Sequence, residues 1–591
     1  MDAICIDQRN IEERNDQVQM MAAVYRSAEQ TYAWLGPAAE DSDYAMQNIG
    51  AMVREMDAYR KRRRDTGDDW DTHASPWAWV TTKHAPWFYP DEESVGLAMG
   101  SAGRNRFWCG VRALLKRPYW SRAWVVQEMV LSRSVVMVCG TSTVHLAMVW
   151  AVAGWLKMLK GVPRPPVVHE GLWRDISRDS GHVHLGRSEI FTSRTLRIGQ
   201  LEARLPVLWR ALVIETRRHM ATDPRDKLYS VLGLLNIPIR PDYSLSVERL
   251  YGDLAKACLK ADGRLGVMLS LAGHGLNPEV DMTTPQKAPY TLFVPTWAPN
   301  WDLLSKARMT YRLQIYLRYP ERGQLVTDST QTPCWSFEDD TFNIQGRSCD
   351  RVAMSSMVNK TESRASFCER ILAKSRGPYV SGIPILQALA RAIFLDRDPM
   401  TGELLGNNPD PLLILGLVSY GFAAHQPRDA LQGEDPDRTL ERFGFSDIGH
   451  LLRAILGHDL TPDLLERAEA WLQRLKSKLC SYRESLDISD RFRGLDGIVE
   501  GWTLELVIMQ TRRLFSSNAA FMTENGRLGW GPPGMQAGDL ICLLGDDLAV
   551  VLRKVDSHYL HIGVCFVLGF DYDEELEAVR KGCEVESFRI V

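Results

Sequence analysis

Short apolar runs and amphipathic stretches alternate along the first 140 residues. Ala3-Ile4-Cys5-Ile6 is a continuous apolar run, the pattern of a strand buried on both faces of a parallel sheet. An amphipathic helix is predicted from about Ile11 to Gln30, with Val18, Met21, Ala22, Tyr25 and Ala28 on one face. Thr31-Tyr32-Ala33-Trp34-Leu35 reads as a second strand, stopped by Gly36-Pro37. Strand, helix and strand in that order form a βαβ unit, which implies a parallel sheet with a right-handed crossover. Since the first run opens the chain directly, the pattern suggests that an upstream piece of the sheet is absent.

Residues 40–105 break this rhythm and read as an insertion: an Asp/Arg-rich helix over Asp43–Arg64, then Trp70, Trp77, Trp79, Trp87 and a Gly-rich patch. The Lys61-Arg62-Arg63-Arg64 run is most simply a solvated helix end. Pro118-Tyr119-Trp120-Ser121 announces a further helix, with Ser121 as N-cap, running through Trp124 and Glu128 to about Leu131. Val135–Val138 is then a buried strand closed by Cys139-Gly140.

Beyond residue 141 the period is mainly helical. Asp223-Pro224-Arg225-Asp226-Lys227 opens one helix, with Asp223 as cap and Pro224 at its first position. Pro241-Asp242-Tyr243-Ser244 turns into another, whose stripe is Val247, Leu250, Tyr251, Leu254 and Cys258. Residues 340–352 suggest a strand, and 362–510 is mostly helical. Leu540–Leu544, Leu548–Arg553 and Tyr559–Leu568 have strand character and read as a meander or small barrel. The expected division is an α/β domain over 1–140, a helical region over 141–335, a mostly helical region over 336–510 and a small β-barrel over 511–591. The length, 591 residues, agrees with several domains rather than one core.

Composition adds few constraints. Hydrophobic residues make up 45% and charged residues 24%, as in globular proteins, and the formal net charge is only -4. Such a balance supplies no global field for nucleic acid or anionic lipid. The longest apolar stretches, Leu146–Leu156 and Leu412–Ala424, are shorter than the roughly 20 residues a spanning helix needs. With no signal peptide before the first run, a cytoplasmic protein is expected. The 11 cysteines include no C-x-x-C pair and read as reduced, packed thiols. His182-x-His184 lacks further ligands nearby, so no metal is expected.

Candidate chemistry is sparse. Gly529-Trp530-Gly531-Pro532-Pro533-Gly534 satisfies G-x-G-x-x-G in form, but its prolines and the strand after it make a β-turn the better reading. Neither a G-x-S-x-G elbow nor a Walker loop is present. Asp7 follows the first predicted strand, so it either faces a ligand at the sheet's carboxyl edge or caps the next turn. Trp120, Trp124 and Glu128 are spaced four apart, which would place two indoles and a carboxylate on one helical face. That set could stack an aromatic ring and stabilise positive charge on a sugar. Alternatively, both indoles are core and Glu128 pairs with an arginine such as Arg122.

Taken together, several segments resemble the fungal heterokaryon-incompatibility (HET) domain family. They are Asp2-Ala3-Ile4-Cys5-Ile6-Asp7-Gln8, then Glu13, Gln17-Val18-Gln19-Met20-Met21, Tyr25 and Trp34-Leu35-Gly36. Tyr119-Trp120-Ser121-Arg122-Ala123-Trp124-Val125-Val126-Gln127-Glu128 and Cys139-Gly140 continue the series. Asp223–Lys227, Pro241–Ser244, Pro295-Thr296-Trp297-Ala298-Pro299-Asn300-Trp301 and Gly538-Asp539 look like the tail of large HET proteins. The family normally starts earlier, with a strand and helix that this chain lacks, so the resemblance implies an N-terminally truncated copy.

The HET domain is remotely similar to Toll/interleukin-receptor (TIR) domains, some of which cleave NAD. This second resemblance implies an incomplete TIR-like parallel sheet, with Glu128 as the catalytic carboxylate. With it, NAD is a possible substrate rather than a resident cofactor, and Trp124 and Trp120, from their spacing, and Asp7, from its place after the first strand, would line the site. The physiological role implied is non-self recognition coupled to programmed cell death, with protein partners and self-association and without nucleic acid or membrane. A non-enzymatic adaptor and an inactive copy are the alternatives.

Overall fold

The first helix starts where a side chain can satisfy an otherwise orphaned amide. In the computed structural model Asn10 accepts from the backbone N–H of Glu13 at 3.2 Å, and α1 (Ile11–Ser27) follows. Glu12 and Glu13 in its first turn and Arg26 in its last suit the helix dipole. The structure describes residues 5–65, 106–158, 219–234, 239–262, 265–273, 294–301, 335–356, 378–393, 518–544, 548–569 and 585–591, with a few single positions between 370 and 466. The chain divides into two units, Met1–Gly263 and Arg264–Val591.

In the first unit, β1 (Thr31–Gly36), β2 (Val135–Cys139) and β3 (Ser142–His145) form a sheet in the order β1-β2-β3. β1 and β2 are parallel, with Thr31 opposite Val135 and Trp34 opposite Val138, whereas β2 and β3 form an antiparallel hairpin. Gly140, at φ 58, makes the turn between them. Residues 135–139 are therefore a parallel partner of Thr31–Gly36. Cys5 lies in a helical turn and Ile6 in a bend, while Met1–Ile4 fall outside the described residues. Four apolar residues are too few to separate strand from helix by period. The amides that follow are spent on a turn, with Asn10 N–H bonded to the Asp7 carbonyl at 3.0 Å.

Helices cover the sheet. α2 (Ser42–Asp65) buries Ala45, Met46, Ile49, Met52, Val53 and Met56, a helical stripe that packs on α3 (Arg106–Leu115) and β3. The head of the stretch read as an insertion thus joins the helical layer on the sheet, and 66–105 lies outside the described residues. α2 and α3 touch closely at Gly110, where a Cβ would stand 2.1 Å from the Asp41 carbonyl oxygen and 2.7 Å from the Ala45 Cβ. α4 (Val125–Leu131) packs on α1, and α5 (Leu146–Met158) completes this layer. α6 (Asp226–Leu232) and α7 (Val247–Asp262) follow, and α7 buries Leu250, Tyr251, Leu254 and Cys258 as its sequence stripe requires.

The second unit contains α8 (Leu265–Leu271), β4 (Trp335–Glu338), β5 (Thr341–Ser355) and α9 (Ile385–Ile393). The strands β6 (Ala519–Thr523), β7 (Leu528–Gly531), β8 (Leu540–Leu544), β9 (Leu548–Val555), β10 (His558–Val564), β11 (Phe566–Val567) and β12 (Glu586–Ile590) follow. β5 is 15 residues long and pairs with β4, β12, β6 and β8, so the sheet recruits a strand placed far upstream of the expected β-rich segment. Pairings run from β5 through β12, β10, β9 and β8 back to β5. The β10–β12 link rests on one pair, Tyr559 opposite Ile590. Val352, Phe521, Ile541, Leu543, Val551 and Ile562 fill the core. Trp297, of the expected Pro295–Trp301 motif, is buried against Phe337 and Phe342, and its indole N–H donates to the Asp340 carbonyl at 2.9 Å.

The Gly529–Gly534 motif is the end of β7 and a turn, and β8 follows it rather than a helix. Among the described residues Cys5, Cys109, Cys139, Cys258, Cys349, Cys542 and Cys565 form no disulfide. Among the described residues no helix is long and apolar enough to cross a membrane.

Candidate active site

The segment that carries Glu128 is not one helix. Pro118 starts a 3-10 turn over Pro118–Ser121, and α4 begins only at Val125. Between them the backbone is captured by a distant strand-like segment. The Ala123 N–H donates to the Met220 carbonyl at 3.0 Å, and the Met220 N–H donates to Ser121. An amide bonded sideways cannot serve a helical ladder, so the predicted helix over 121–131 loses its first turn.

This break separates the three residues expected on one face. Trp120 is buried, its indole N–H donates to the Leu114 carbonyl at 2.7 Å, and it stacks edge-on against Tyr119. Trp120 is thus buried with its donor spent on the backbone, as in the reading that makes the indoles core. Trp124 caps α4 and is half-buried, with its indole hydrogen-bonded to the Asp226 carboxylate. Glu128 is half-buried one turn later, and the Tyr119 hydroxyl donates to its Oε2 at 3.1 Å.

Burial, followed by the charge of Glu128 and the hydrogen bond to it, raises the Tyr119 phenol well above its usual range, against the opposing pull of Arg122. Tyr119 therefore keeps its proton and acts as a fixed donor to the carboxylate. Asp7 is exposed, and its Oδ1 accepts from the Arg9 N–H at 3.0 Å in the turn before α1. Of its two sequence readings, the structure places Asp7 in the turn.

A polar network missed from sequence borders Trp124. Arg225 forks onto Asp223 at 2.9 and 3.0 Å and donates to the carbonyls of Tyr243 and Leu245. Arg14 of α1 lies 3.4 Å over the Tyr243 ring and reaches Asp223 at 3.3 Å and Asp226 at 3.8 Å. The Tyr243 hydroxyl donates to Asp226. Burial raises the Asp226 carboxyl despite the Tyr243 hydrogen bond, with the charge of Asp223 adding to the rise. Burial acts the same way on Asp223, but the Arg225 hydrogen bonds and the charges of Arg225 and Arg14 outweigh it, and its pKa falls. Arg14 carried a signal: it stands one turn before Val18, on the stripe that faces inward.

His182 and His184 lie outside the described residues, and among the described residues no group of three or more His, Cys, Asp or Glu is placed to hold a metal ion.

The first unit is a mixed α/β domain with a helix-covered sheet and a tyrosine-held carboxylate. Residues 1–128 match the family model described as heterokaryon incompatibility protein (HET). Over 616 aligned residues the chain is 24% identical to heterokaryon incompatibility protein 6, OR allele, of Neurospora crassa, covering 96% of this chain and 80% of that protein. No solved structure matches the chain.

Proposed function

We propose that this chain is a heterokaryon incompatibility protein acting in non-self recognition coupled to programmed cell death, and that its N-terminal domain acts by hydrolysing NAD. The match of residues 1–128 to the HET family and the named Neurospora relative support the incompatibility role. The chemistry rests on Glu128, a half-buried carboxylate fixed by a tyrosine that keeps its proton. As the bond between ribose and nicotinamide breaks, its electron pair leaves with nicotinamide and positive charge builds on the sugar. Glu128 stabilises that charge, and water adds to the sugar to give ADP-ribose, nicotinamide and a proton. Trp124, oriented through Asp226, shapes the ring pocket. In this reading β1 and β2 belong to a TIR-like sheet, the second unit is a small barrel with a helical surround, and the protein works in the cytoplasm with protein partners.

Nicotinamide release from NAD by the purified chain tests the chemistry. Glu128→Gln should lower the rate by about 100-fold or more. Equal release by both proteins would sink the catalytic assignment. A second reading, an adaptor that works by self-association, is favoured by Tyr32 and Trp34, which are 67% and 57% exposed on the outer side of β1. Concentration-dependent assembly without nicotinamide release would select it.

A further inference from the structure

Asp226 is where three separate stretches of the first unit meet. It opens α6, and Trp124 at the head of α4 reaches its carboxylate through the indole N–H. From the 241–244 turn the Tyr243 hydroxyl donates to its Oδ1, and from α1 the Arg14 guanidinium stands 3.8 Å from the same oxygen. α1 holds that turn a second time, since the Tyr243 N–H donates to Asn15 Oδ1 at 2.9 Å. The Asp226 side chain is 14% exposed, so these contacts are made largely out of water.

The three partners share one property: each donates. An indole N–H and a guanidinium cannot accept, and the phenol proton points at the carboxylate. A proton added to the carboxyl turns one of its oxygens into a donor that faces other donors, and it cancels the charge that attracts Arg14. The set must then rearrange. Arg14 and Tyr243 have second anchors: Arg14 holds Asp223 at 3.3 Å, and the Tyr243 ring lies under Arg14 and edge-on to Tyr229 at 5.0 Å. Trp124 is half-buried, with a side open to solvent into which its ring can turn. Burial, with the charge of Asp223, lifts the Asp226 carboxyl above the usual aspartate range against the pull of Tyr243 and Arg14, which brings its protonation closer to neutral pH.

We infer that Asp226 is an acid-operated latch on Trp124: as a carboxylate it fixes the indole one turn from Glu128, and as the neutral acid it lets the indole turn away. Asp226 is thus a positioning residue that acts through Trp124. The charged and titratable groups that face it are Arg14 on α1, Asp223 ahead of α6 and Tyr243 in the turn after it. Its effect on activity rests on the proposed NAD hydrolysis, with Trp124 shaping the ring pocket; the latch itself does not.

Fluorine NMR of the full chain labelled with fluorotryptophan tests the latch, with the Trp124 resonance assigned by its loss in Trp124→Phe. Acidification from neutral pH should move that resonance with a midpoint above 3.8, the ordinary aspartate value, while circular dichroism shows the fold intact. Asp226→Asn has one acceptor and one donor group, as the neutral acid has, and should hold the resonance at its acid position even at neutral pH. Tyr243→Phe removes a hydrogen bond that favours the charged carboxylate and should raise the midpoint, so the assignment does not depend on one variant folding. In the nicotinamide assay Asp226→Asn should raise the KM for NAD about tenfold, the loss of one base–aromatic stack, and change kcat less. A Trp124 resonance that stays in place on acidification of the folded chain, or that titrates alike in Asp226→Asn, overturns the latch. A moving resonance with an unchanged KM keeps the latch and removes Trp124 from the ring pocket. Absence of nicotinamide release in every form would remove the Glu128 reading, and the resonance would still decide the latch.

Discussion

Tyr119 and Glu128 are nine positions apart, and nothing in a helical or strand period pairs them. The pairing arises because the 3-10 turn bends the chain back, so that a phenol ahead of the break meets a carboxylate on α4. In the sequence Glu128 stands out only by its spacing from two tryptophans, and its partner does not stand out at all. Tyr119→Phe removes one hydrogen bond to a charged acceptor and should cost about 1.5–3 kcal/mol, measured as a lower denaturation midpoint of the N-terminal unit. An unchanged midpoint would mean that water replaces the hydroxyl at no cost. The indoles divide by what their N–H groups find: Trp120 meets a backbone carbonyl and is core, while Trp124 meets Asp226.

Among whole elements, helical stripes with several apolar positions were readable, as α1 and α7 show, because burial and period coincide. The short elements were not. Cys5 and Ile6 lie outside any described strand, and the helix expected over 121–131 is cut by Met220, a residue roughly a hundred positions away whose role no local pattern announces. The α2–α3 contact depends on the missing side chain at Gly110. Gly110→Ala would drive a methyl into the Asp41 carbonyl and should destabilise the N-terminal unit by about 1–3 kcal/mol as the helices part. Thermal melting checks this, and an unshifted melt would show that the pair separates without penalty.

Across the molecule, acid stability should be sensed by His561 in the second unit. The imidazole is fully buried, its Nε2 lies 2.9 Å from the Leu269 carbonyl, and burial lowers its pKa from 6.5 to about 4. The unfolded chain therefore binds a proton that the folded one refuses between those values. This contribution is complete above pH 6.5 and is lost as pH falls towards 4, with a slope of about 1.4 kcal/mol per pH unit. His561→Gln should flatten that slope in denaturation curves of the C-terminal unit, and a slope identical to that of the parent would assign the acid sensitivity elsewhere. The four-part division read from sequence did not foresee that residues 341–355 pair with strands nearly two hundred positions later, since pairing partners leave no mark on a strand's own alternation.

That pairing has a temporal consequence. While the ribosome is still making the intervening chain, the apolar face of β5 has none of the partners that β6, β8 and β12 will provide. The second half of the protein must wait for distant sequence before its sheet can close, so its assembly should be slow and dependent on protection from aggregation during synthesis.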